Sequence, residues 1–96
     1  PVVLRFNLPG QKEKVQRMGQ AMGLHDASSE SLIKHIEGIL DDIKIPRSLS
    51  EIGVPLGSAQ GIAEKAIFDS AASTNPRTAS VAEIRTLTEE AIVKAR

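Results

Sequence analysis

Apolar residues recur along this chain at helical spacing and do not alternate as they would in strands. Val15, Met18 and Met22 fall at i, i+3 and i+7, which predicts a helix from Gln11 to Met22 with Pro9 near its start and Gly23 as a left-handed stop. A stronger stripe follows. Leu32, Ile33, Ile36, Ile39, Leu40 and Ile43 project within a sector of about 120° at helical pitch, predicting a helix from Glu30 to Lys44. Ser28 or Ser29 can cap it, and Pro46 is expected to stop it. A stripe this wide must be covered, so Leu32, Ile36, Leu40 and Ile43 are expected to share one core with the first and last helices.

The remaining elements are read from caps and breakers. Ser48 and Glu51 have capping-box spacing, predicting one turn over Leu49 to Ile52 that Gly53 ends. Pro55 and Gly57 force a loop, after which Ser58 is expected to cap a helix carrying Ile62, Ala63, Ala66 and Ile67. A small-residue loop is expected from Ser70 to Arg77. Ser80 and Glu83 then form a second capping box, opening a last helix with Val81, Ile84, Leu87, Ala91 and Ile92 on one side. The fold class is therefore all-α, a helical array with short connections, and residues 1–96 are expected to form a single helical domain.

Composition narrows the function. Twelve basic and twelve acidic side chains cancel, leaving no net field to attract nucleic acid or an anionic membrane. No run approaches the roughly 18–20 apolar residues of a membrane span, and the expectation is a soluble, cytoplasmic protein. Cysteine is missing, which excludes disulfides and thiolate metal sites within these residues. The chain opens inside an apolar run, Pro1 to Leu4, with no turn or cap before it. It reads as a piece of something longer, with Val2, Val3, Leu4 and Phe6 expected to be helical and partly exposed.

Candidate chemistry is thin. His25 and His35 are ten residues apart, not at the i, i+3 or i, i+4 spacing that joins ligands on one helix face. Asp41 and Asp42 diverge by about 100° on a helix, so they do not make an acid–base pair and read as a solvated face. Gly57, Ser58 and Gly61 precede a helix, but their spacing matches neither the dinucleotide fingerprint nor the P-loop, and a loop with a cap explains them. Ser70 and Ser73 lack a nucleophile elbow and a neighbouring His in sequence. The residues themselves assign no catalytic, cofactor-binding or metal-binding position.

The segment Ser73-Thr74-Asn75-Pro76-Arg77 reads as an ordered connector, because Pro76 biases Asn75 toward an extended backbone. Combined with Arg5-Phe6-Asn7, with Ser48-Leu49-Ser50-Glu51-Ile52-Gly53 and with Ala63-Glu64-Lys65-Ala66, the ordered series resembles the carboxy-terminal helical domain of iron-containing alcohol dehydrogenases. The resemblance spans essentially the whole chain. It implies the C-terminal part of the helical domain in a dehydroquinate-synthase-like, two-domain parent.

In such a parent an amino-terminal α/β domain holds NAD or NADP. The helical domain contributes a divalent metal, usually iron and sometimes zinc, for hydride transfer between an alcohol or aldehyde and nicotinamide. The family's metal ligands, one Asp and three His, precede the region matched by Pro1 to Asn7, so the resemblance carries none of them onto this chain. It does imply that the loop of Ala71, Ala72, Ser73 and Thr74 approaches the substrate cleft. Many relatives carry Cys and Thr where this chain has Ala71 and Ala72.

The expected partners are thus the missing N-terminal nucleotide-binding domain, the metal-bearing helices, a small alcohol or aldehyde and a possible second copy, with the fragment itself inactive. A free-standing helical module presenting an apolar groove to a partner helix is the alternative. A DNA-reading helix-turn-helix lacks the basic recognition helix it would need.

Overall fold

A computed structural model describes residues 1–94. Every regular element among them is helical: α1 (Val2–Asn7), α2 (Lys12–Ala21), α3 (Ser29–Asp42), α4 (Ala59–Ala66), α5 (Ser70–Ser73) and α6 (Val81–Val93), with 3-10 turns at Leu49–Ile52 and Leu56–Ser58. None is long and apolar enough to cross a membrane. The chain divides into two compact units, one formed by Pro1 with Val3–Ile45 and the other by Val2 with the residues from Pro46 onward.

The first unit closes around Leu8, Val15 and Leu32, with Leu4, Leu24, Ile33 and Ile36 packed against them. Leu8 follows α1 directly and is buried, while Gly10 (φ 79°) turns the chain into α2. Gly23 ends α2 in the left-handed conformation (φ 74°), and the Leu24 N–H reaches back to the Gly19 carbonyl at 2.9 Å. The returning segment crosses α2 at close range. A Cβ built at Gly19 would lie 2.8 Å from Ala27 Cβ and 3.0 Å from its Cα, so only glycine permits this approach.

Ser28 opens α3 in a reciprocal box with Ser31. The Ser31 N–H donates to Ser28 Oγ, and the Ser28 N–H donates to Ser31 Oγ, both at 3.1 Å. Ser31 also donates its hydroxyl to the Asp26 carbonyl. An ion pair between Arg5 and Glu37 ties α1 to α3.

The α3 stripe is covered only at its front. Leu32 is fully enclosed and Ile36 packs beside it, but Ile39 is exposed and Ile43 is 61% exposed, which corrects the expectation that Ile43 shares one core with Leu32 and Ile36. α2 covers α3 and is four residues shorter, ten against fourteen. Its own stripe is likewise partial: Val15 is buried while Met18 and Met22 are exposed. The end of α3 also differs in cause. Lys44 takes a left-handed backbone (φ 59°) and the Ile45 N–H closes onto the Leu40 carbonyl at 2.9 Å, so the helix has ended before Pro46.

In the second unit α6 packs along α4, whose buried positions Ala59 and Ala63 are four residues apart and small enough for close approach. Ile92 on α6 is completely enclosed, and Val81, Ile84, Leu87 and Ala91 are half-buried. The Leu49–Ile52 and Leu56–Ser58 turns also pack against α6.

Two caps read from the sequence form differently. Glu51 accepts from the Arg47 N–H at 3.1 Å rather than completing a box with Ser48, whose hydroxyl meets Ser50 Oγ at 2.8 Å. Ser58 is itself helical (φ −80°, ψ −12°) and donates its hydroxyl to the Pro55 carbonyl at 2.6 Å, because the 3-10 turn leads directly into α4. The Ser80–Glu83 box forms as the sequence predicts. Helix α1 contains Val2, Val3, Leu4 and Phe6, and none of them is buried.

Candidate functional site

The segment from Asp69 to Arg77 is held by its own side chains. Asp69 adopts an extended backbone (φ −67°, ψ 137°), and its carboxylate accepts the Ala71 N–H at 2.8 Å, starting α5 in place of the expected loop. The Asp69 cap ahead of two alanines was the sequence signal for this turn. Ser73 donates to the Ser70 carbonyl at 2.6 Å, and Thr74 donates to the Ala71 carbonyl at 3.2 Å. Asn75 then spans Pro76, its side-chain amide donating to the Arg77 carbonyl at 2.6 Å.

Ala71, Ala72, Ser73 and Thr74 are consequently brought together on one exposed turn, next to Phe68, which is 88% exposed. Both hydroxyl groups direct their protons at main-chain carbonyls, so the turn offers methyl groups and oxygen lone pairs more than acid or base chemistry. The far end leads to α6. Ser80 donates its N–H to Glu83 Oε2 at 2.8 Å and its hydroxyl oxygen accepts the Glu83 N–H at 3.2 Å. The Ser80 N–H, then the Ser80 hydroxyl, with attraction from the Arg77 guanidinium, hold the Glu83 carboxyl below its ordinary 4.5.

The other candidates stay dispersed. His25 is exposed in the turn after α2, and His35 is half-buried on α3. Asp41 and Asp42 are exposed neighbours at the end of α3. Among the described residues no group of three or more His, Cys, Asp or Glu side chains is placed to hold a metal ion. A catalytic iron or zinc needs about three or four protein ligands in a prepared cage, so these residues do not fit one. The described residues also contain no strand, and a dinucleotide cradle of strand, Gly-rich turn and helix does not fit either.

The first unit has a pocket of about 250 Å³ beside the start of α2. Leu8 and Val15 form its apolar side, and Lys12, Gln16 and Ser28 contribute polar groups. Ser28 is already engaged in the cap of α3.

No curated protein and no solved structure matches the chain. A family model described as the Fe-containing alcohol dehydrogenase family, C-terminal, matches residues 1–92. That span takes in both units, the Ala71–Thr74 turn and nearly all of the last helix. The all-helical architecture agrees with it. The chain belongs to the Fe-containing alcohol dehydrogenase family and carries its C-terminal domain.

Proposed function

We propose that residues 1–96 serve as one helical domain, the carboxy-terminal structural portion of a metal-dependent NAD(P) alcohol dehydrogenase. The family match over residues 1–92 carries this reading. The parent enzyme transfers hydride between a small alcohol or aldehyde and nicotinamide in the cytoplasm, using iron or zinc and NAD or NADP. The donor set of the described residues fits neither group, and in this reading an N-terminal nucleotide-binding domain and additional metal-bearing helices supply both. A second copy can complete a homo-oligomer. Within the domain, Ala71, Ala72, Ser73 and Thr74 border the substrate cleft, where their small side chains leave room for substrate.

Calorimetry with ferrous iron, zinc and NADH tests the division of labour. The chain alone should bind none of them tightly and should not oxidise alcohols, and adding the upstream coding region should restore binding and activity together. Submicromolar metal binding mapped to His25 or His35 would overturn the proposal.

A second reading, a free-standing module that docks a partner helix, draws on the exposed Ile39, Ile43 and Ile45 at the end of α3. A start codon near Pro1 in the gene would favour it. An upstream frame with a Gly-rich nucleotide motif and paired histidines would favour the enzyme.

A further inference from the structure

The four residues of α5 include no buried side chain, so tertiary packing does little to hold this turn. Its backbone closure loosens toward the rear: the Ala72 N–H meets the Asp69 carbonyl at 3.0 Å, but the Thr74 N–H meets the Ala71 carbonyl, and the Asn75 N–H the Ala72 carbonyl, each at 3.3 Å. Ser73 donates to the Ser70 carbonyl at 2.6 Å within the turn, and two further short side-chain bonds fix its ends. Asp69 accepts the Ala71 N–H at 2.8 Å, and the Asn75 amide donates to the Arg77 carbonyl at 2.6 Å. Pro76 lacks an N–H and fixes its own φ, so the Asn75 side chain supplies a bond across a residue that cannot donate one.

We infer that Asp69 and Asn75 are positioning residues, a two-ended side-chain clamp that holds Ala71–Thr74 in the geometry presented to substrate. The inference rests on the proposed placement of this turn at the cleft. It assigns the order of the turn to two polar side chains and not to burial.

Amide order parameters measured on this chain and alcohol kinetics measured on the full-length enzyme test it together. Asn75→Ala and Asn75→Asp both remove the donor, while Asn75→Ser keeps a shorter one. Asp69→Ala removes the acceptor, and Asp69→Asn keeps one. In the three variants lacking the group, order parameters over Ala71–Asn75 should fall from about 0.85 to below about 0.6, with α6 unchanged. Asn75→Ser and Asp69→Asn should retain part of the order.

In the enzyme, KM for alcohol should rise about threefold to tenfold, the equivalent of one ordinary hydrogen bond, with a smaller change in kcat. Unchanged order would overturn the clamp, even if KM rose. Lost order with KM unchanged would overturn the positioning role and, with it, the placement of this turn at the cleft.

Discussion

Ser80 and Glu83 satisfy each other's backbone. The Ser80 N–H donates to the Glu83 carboxylate at 2.8 Å, and the Glu83 N–H donates to the Ser80 hydroxyl at 3.2 Å. Two amides that begin α6 without an intrahelical partner are thereby paired, and α6 carries the enclosed Ile92 of the second unit. Replacing Ser80 with Ala should cost about 1 kcal/mol, which for a domain of this size is a fall in Tm of about 4–8 °C in a circular dichroism melt.

The same pair gives a pH dependence of defined sign. Glu83 is held below its ordinary 4.5 by the Ser80 N–H, then by the Ser80 hydroxyl, with Arg77 adding attraction. A carboxylate depressed in the folded state lends stability that is complete above its unfolded value and fades as pH falls through the folded one. Glu83→Gln should therefore melt below the parent at pH 7, and the gap should close as pH drops below 4.5. A gap constant from pH 7 to pH 3 would contradict the assignment.

Gly19 and Gly38 should respond oppositely to the same change. Gly38→Ala places a methyl group in open space within α3 and should stabilise by about 1 kcal/mol. Gly19→Ala gains the same helix propensity but drives a Cβ to 2.8 Å from Ala27 Cβ, and overpacking of this kind costs about 1–3 kcal/mol. Thermal melts of the two variants should move apart, with Gly19→Ala below the parent.

Leu32→Ala should be among the most damaging substitutions in the first unit, at about 2–5 kcal/mol, because the side chain is fully enclosed against Leu8 and Val15 and its loss leaves a cavity. Ile43→Ala, on the same stripe but mostly in solvent, should change stability by less than about 0.5 kcal/mol. Urea unfolding of both variants checks the contrast.

What the sequence disclosed was local. The helices over 12–21, 29–42 and 81–93, the left-handed Gly23 and Gly53, and the Ser80–Glu83 box depend on residues within four positions of one another. Where two local partners competed, spacing alone misled. Glu51 has the same offset from Ser48 as Glu83 from Ser80, yet it takes the Arg47 N–H, because a 3-10 turn follows Ser48 instead of a full helix. Periodicity likewise shows which α3 side chains share a face and cannot show how far along that face a neighbour extends, so Leu32 and Ile43 look equivalent until α2 is seen to cover one end.

The candidate turn was legible in position and not in form. Ser70 to Arg77 reads as a connector, and the four small residues were marked by resemblance to the family. The helical turn itself depends on Asp69 bonding two residues ahead and on Asn75 reaching across Pro76. Both are side-chain choices that composition leaves open.

Lys44 is the one non-glycine residue with a left-handed backbone among those described, and the Ile45 N–H is already bonded to the Leu40 carbonyl when the chain arrives at Pro46. The length of α3 is therefore set twice, by a closure that completes the last turn and by an imino acid that refuses another. Redundancy of this kind makes the boundary insensitive to either device alone. A chain with alanine at 46 would still leave the helix at Asp42, and one with glycine at 44 would leave it there more easily.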